Sequence, residues 1–183
     1  MSEDTRKLKL IQYILATEEH TALEAIEEAM QTYEARGDKY WSVIDKLDWS
    51  QEGNDEAVLA PAVEALAKEE EPFVLAFYDW LSERLYQLDR ADFAAHSVDD
   101  DEHFSADLFL YARCAVVANG RSYYELVMAQ PDQFPKALYF ERLLELPARA
   151  YERKTGRSLP RAPKRIYETG FNLEGWGEQG IRL

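Results

Sequence analysis

Residues 71–88 read EPFVLAFYDWLSERLYQL. Within them Phe73, Phe77, Trp80, Leu81, Leu85 and Leu88 recur at spacings of three and four, which places them on one face of a helix. Glu71 and Pro72 open it, and proline suits a first turn, where its missing N–H has no helical partner to lose. An aromatic stripe at this period predicts a helix packed into a core rather than one lining a cofactor pocket.

The same period extends outward in both directions. Upstream, residues 55–69 predict a helix in which Pro61 is expected to cause a kink or a delayed start. The SQEGND stretch at 50–55 is a turn, and residues 39–49 form a helix bearing Trp41, Ile44 and Leu47. Further up, Leu8, Ile11, Ile14 and Leu15 stripe residues 5–15. Ala22, Leu23, Ile26, Met30 and Tyr33 stripe 18–35, with Gly37 placed to end that helix. Downstream, helices are predicted near 102–119, 121–130 and 135–155, the last bent by Pro147 and ended by Gly156. The expectation is an all-α, single compact domain of about eight helices with an irregular C-terminal arm. Its parts are a hairpin over 1–37, a helical core over 38–156, and an arm over 157–183 packed on the core.

Charge is unevenly placed. Residues 1–112 hold 27 acids and 9 bases, whereas 113–183 hold 8 acids and 12 bases, giving −18 and +4 and the overall −14. The acidic part repels phosphate backbones, so nucleic acid is a disfavoured partner there. Bases concentrate at Arg149, Arg153, Lys154, Arg157, Arg161, Lys164 and Arg165, opposed only by Glu152. This 149–165 stretch reads either as a docking patch or as a tail lying along the acidic helices of its own chain. The second is favoured, because those acids are always close by. No apolar run approaches the roughly 20 residues that span a bilayer, so no membrane role is expected. The N-terminus lacks the layout of a signal peptide. The single Cys114 excludes an internal disulfide framework and fits a cytoplasmic protein.

Candidate chemistry is sparse. His96, Asp99, Asp100 and His103, with Asp101 and Glu102, supply ligand types suited to zinc, manganese or iron. Their spacing matches no metal or hydrolase motif, and a capped helix start in a solvated loop is the favoured reading of the aspartates. Cys114 falls on an apolar helix face, where a buried thiol is the ordinary case. Asn119-Gly120-Arg121 offers a weak anion nest beside a helix stop. No catalytic residue and no cofactor is assigned. Arg121, Arg157, Arg161, Trp49 and Trp176 are the candidate interaction residues, since Trp and Arg are enriched at interface hot spots. Trp176 and Phe171 are equally candidates to pin the arm to the body.

Several short matches then fall in order: Tyr40-Trp41 with Ile44-Asp45, Phe77, Asp99-Asp100 with Phe104 and Tyr111, and Asn119-Gly120-Arg121 with Tyr124-Glu125. Pro131-Asp132, Leu143-Leu144, Ala150-Tyr151-Glu152 and Lys154-Thr155-Gly156 complete them. Over about residues 39–156 the set resembles the bacterial domain-of-unknown-function 4240 family. The family pattern carries glycines around its Asp-Asp pair, where this chain has HSVDDDEH at 96–103. The resemblance implies a mainly helical bacterial cytosolic domain and carries over no established activity. The first two helices are also similar to the N-terminal helical segment of small antitoxin-like proteins.

Three functional readings follow. The first is a non-enzymatic acidic module, immunity- or antitoxin-like, whose field steers a basic protein partner. The second is a metal-dependent or acid–base enzyme using the His96–His103 cluster. The third is nucleic-acid association through 149–165. A homodimer formed through the hairpin is open.

Overall fold

The structure is a computed structural model that describes residues 3–17, 20–97 and 103–177. The fold is all-α, and no strand occurs among the described residues. The chain divides into two compact units, Met1–Lys39 and Tyr40–Leu183. No helix of the described residues is long and apolar enough to cross a membrane.

In the first unit lie α1 (Glu3–Ala16) and most of α2 (His20–Ile44). The helix expected to stop at Gly37 and the one expected to begin at 39 are a single element. A glycine ends a helix when it takes a left-handed backbone, and Gly37 does not. A helix-interior glycine costs only about 1 kcal/mol. Just beyond it Tyr40, Trp41, Val43 and Ile44 are buried, which outweighs that cost.

The second unit contains α3 (Asp55–Lys68), α4 (Glu71–Gln87), α5 (Ala91–Ser97), α6 (Ala106–Ala118), α7 (Arg121–Ala129), α8 (Leu146–Thr155) and the single turn α9 (Leu173–Trp176). Short 3₁₀ turns occupy Trp49–Gln51, Pro131–Gln133 and Glu141–Glu145. α3 starts without delay, its N-terminus capped by Asn54, and it runs through Pro61, which faces solvent. Pro147 also behaves differently from expectation. It lies in the first turn of α8, where it bends nothing, and the residues before it are 3₁₀ or irregular. Gly156, with φ of 69°, closes α8 as expected.

The aromatic stripe of α4 is core. Trp80 meets Trp41 edge-on at 4.8 Å between ring centroids, and Tyr40 lies 5.0 Å from Phe73 and 5.5 Å from Trp80. α6 is buried on almost every side from Phe109 to Ala118, so α4 and α8 pack with α3 and α6 to enclose a single interior. Ser105 caps α6 by accepting from the Leu108 amide; Asp99, Asp100 and Asp101, expected to do so, lie outside the described residues, and the helix begins later than expected.

The arm is tied down at a buried point. Asp89 and Arg113 are both fully buried, 3.9 Å apart. Asp89 accepts hydrogen bonds from the backbone of Gly170 and Asn172 and from the Trp176 indole at 2.8–3.0 Å. Arg113 donates to the Leu85 carbonyl at 2.9 Å and to the Thr169 hydroxyl at 2.8 Å. The Asp89 carboxylate and two of the three Arg113 guanidinium nitrogens are thus satisfied by α4 and by the arm, while the buried Arg113 Nε has no hydrogen-bond partner.

Candidate interaction surface

The histidine–aspartate cluster divides. His96 is half-buried in the last turn of α5 and His103 is exposed before α6. Asp99 and Asp100 lie outside the described residues. Among the described residues no group of three His, Cys, Asp or Glu side chains is arranged to hold a metal ion.

The basic stretch meets acids of its own chain. Arg161 grips Asp79 with two hydrogen bonds of 2.7 and 2.8 Å, and the Lys164 ammonium lies 3.3 Å from the same carboxylate. Arg165 donates to Glu83 at 2.9 Å and lies over the Tyr86 ring. Arg157 pairs with Glu71 at 3.2 Å, and Arg149 bonds both Glu56 and Glu145. Glu71, Asp79 and Glu83 all belong to α4, so one acidic face of that helix receives the arm. Burial raises the Asp79 pKa, but Arg161 and Lys164 outweigh it, and the carboxyl sits below its usual range. Arg157 and Arg161, read from sequence as contacts for a partner, are thus engaged within the chain.

Two other candidates are placed differently again. Arg121 is exposed on α7 and pairs with Glu125 one turn on, at 2.6 Å. The start of α7 already faces a carboxylate: Asp45 Oδ1 lies 3.5 Å from where a Cβ on Gly120 would stand. Trp176 is not an exposed anchor. It is 4% exposed, meets Phe109 and Phe104 edge-on, and pins the arm through Asp89.

Trp49 keeps its exposed position at 42% and leads to a surface that sequence reasoning missed. Asp48 caps its 3₁₀ turn by accepting from the Ser50 amide. The Trp49 ring lies 5.1 Å from Phe140, whose own ring is buried and whose amide donates to the Tyr111 carbonyl at 3.1 Å. Immediately before Phe140, Leu138 and Tyr139 are exposed, and Leu108 is exposed one turn before Tyr111. Ala137 has φ of 53°, the single non-glycine residue with positive φ among those described. A left-handed alanine costs roughly 1–2 kcal/mol, and the strain is held by the anchored Phe134 and Phe140 on either side.

Both acids and bases border these segments, with Lys46, Lys136 and Arg142 among the bases. Asp48 and Glu52 flank Trp49, and Asp107 and Glu141 lie near Tyr111. Desolvation first, then the charges of Glu141 and Asp107, push the Tyr111 phenol above its usual range. The signal that could have found the patch was present only as Trp49; residues 135–140 fell inside the helix expected over 135–155. An open groove of about 500 Å³ between α3 and α8 is lined by Glu56, Arg149 and Arg153 among others, and Arg149 pairs with Glu56 there.

Residues 36–153 match a family described as a protein of unknown function, DUF4240. Neither the curated proteins nor the solved structures contain a match to this chain.

Proposed function

The chain belongs to the DUF4240 family, proteins of unknown function, and from that premise we propose that it is a non-enzymatic interaction module that docks a basic protein surface on the Trp49–Leu138–Tyr139 patch. The observation that carries this reading is the exposure of Trp49, Leu138 and Tyr139 next to a left-handed Ala137, with Asp48, Glu52 and Glu141 close to them in sequence. Strain of that kind persists where surrounding structure enforces it, and it gathers at binding sites. An exposed tryptophan is an efficient anchor, and the carboxylates select arginine- and lysine-bearing partners and speed their approach. Immunity- or antitoxin-like neutralisation of a basic partner, such as a nuclease, fits this chemistry. A cytoplasmic setting fits the one buried thiol. Nucleic acid ranks lower as a partner, because phosphates would have to displace the carboxylates already bound by Arg149, Arg157, Arg161, Lys164 and Arg165.

The test is affinity capture from the source cell with wild-type and Trp49→Ser/Tyr139→Ser baits, at low and high salt. The expected result is a basic protein retained by the wild type, weakened by salt and lost with the double variant. A partner retained equally by both baits, or no partner at all, overturns the assignment.

A further inference from the structure

We infer that residues 157–168 are a salt-released strap: the segment lifts off α4 as a loop while its two ends and the body of the second unit stay in place. The ends are fixed by different means from the middle. At one end Gly156 closes α8, whose Ala150 and Tyr151 are buried. At the other, Gly170, with φ of 89°, gives its amide to the buried Asp89 carboxylate at 3.0 Å. Thr169 just before it accepts from Arg113 and donates to the Ala106 carbonyl at 2.7 Å. From there to Trp176 the arm is clamped by Asp89. The chain between the two ends is irregular, with neither helix nor strand.

The middle is held by charge at the surface. Arg157 pairs with Glu71, Arg161 and Lys164 share Asp79, and Arg165 takes Glu83. The Lys164 amide adds a bond to the Asp79 carboxylate at 3.0 Å. The Arg157 and Lys164 side chains are 66% and 78% exposed, so water and salt reach these pairs. Exposed pairs contribute little each, and about 1 M salt shortens their reach to about 3 Å. The clamp beyond them behaves differently, because Asp89 and Arg113 are fully buried and a buried pair is screened far less. Leu159 and Tyr167 rest partly buried on the core and keep the strap closed at low salt. A loop tied at both ends loses little freedom on closing again, so the opening is reversible. Lifting the strap uncovers Asp79, now 13% exposed, with Glu83 one turn along α4. Ionic strength thereby sets how much negative surface the second unit shows. The inference does not rest on the Trp49 patch.

The test is trypsin digestion of the full chain from about 0.1 M to about 1 M sodium chloride, with fragments identified by mass. Each rate is divided by that of trypsin on a small peptide substrate in the same buffer. Cutting after Arg157, Arg161, Lys164 or Arg165 needs the strap open, and its rate follows the open fraction. That rate is expected to rise roughly tenfold over the salt range, the effect of weakening several exposed pairs together. Cys114, buried in α6, is expected to stay closed to a thiol reagent throughout. Asp79→Asn/Glu83→Gln is expected to be cut at low salt as fast as the wild type at high salt, with the thiol still closed. The wild-type series decides alone where the variant's thiol is already open. A cutting rate indifferent to salt overturns the inference, as does a folded variant cut no faster than wild type at low salt. Cys114 labelling that rises in step with cutting also overturns it, because the whole unit would then be opening.

Discussion

Cys114 shows how far one side chain's chemistry is set by its surroundings. It is fully buried in α6, and burial pushes its thiol up to about 12, against the opposing pull of the adjacent Arg113. At neutral pH it stays a thiol, and the thiolate is the reactive form. Native protein is therefore expected to give no reaction with a thiol reagent at neutral pH, and one equivalent after denaturation, read by absorbance. Prompt labelling of the folded chain would contradict this. The buried state was legible from the apolar face that Cys114 shares. The contrast between Trp49 and Trp176 was not. Both are tryptophans flanked by polar or small residues, and what separates them is a carboxylate at Asp89, 87 positions from Trp176. Ala137 was equally hidden, because a left-handed alanine carries no compositional mark.

At the scale of elements, the tie between α4, α6 and the arm is the feature with the largest expected energy. Asp89→Ala strands the buried Arg113 charge and removes the acceptor of three hydrogen bonds. Removing one partner of a buried pair costs about 3–5 kcal/mol. The expected result is a clear fall in denaturant midpoint together with new protease sensitivity between Leu159 and Gly177. Unchanged stability would mean that the pair contributes little. Sequence periodicity located α3, α4, α6 and α7 because their apolar spacing agrees with their environment. It misplaced the boundaries at Gly37 and Pro147 for one shared reason. Glycine and proline report only local preference, and burial of Tyr40 and Trp41, or a place in a first turn, decided the outcome.

Across the whole molecule, the imbalance between residues 1–112 and 113–183 is partly cancelled on folding, where the basic arm lies on the acidic face of α4. This cancellation depends on pH. Because the Asp79 carboxyl is held below its usual range, its contribution is complete at neutral pH. It is lost as pH falls below the ordinary aspartate range and through the lower folded-state value. Asp79→Asn is expected to lower the melting temperature at neutral pH, with the gap to wild type closing toward strong acid. A gap that persists at the acid end would assign the effect to packing instead. The charge imbalance itself was plain from the residue order, and so was its internal use as an alternative. Which acid meets which base depends on how the arm crosses α4, and periodicity carries no information about that path.

The buried meeting of Asp89, Arg113 and residues 169–176 also bears on how the protein is made. A nascent chain leaves the ribosome N-terminal end first. α4 and α6 therefore emerge while Thr169, Gly170, Asn172 and Trp176 are still untranslated or in the exit tunnel. Until those residues arrive, the guanidinium and the carboxylate are short of their partners, and the interior stays unsealed. A message broken late in translation would release a product with most of its helices but no closed interior, and quality-control proteases could recognise it at once.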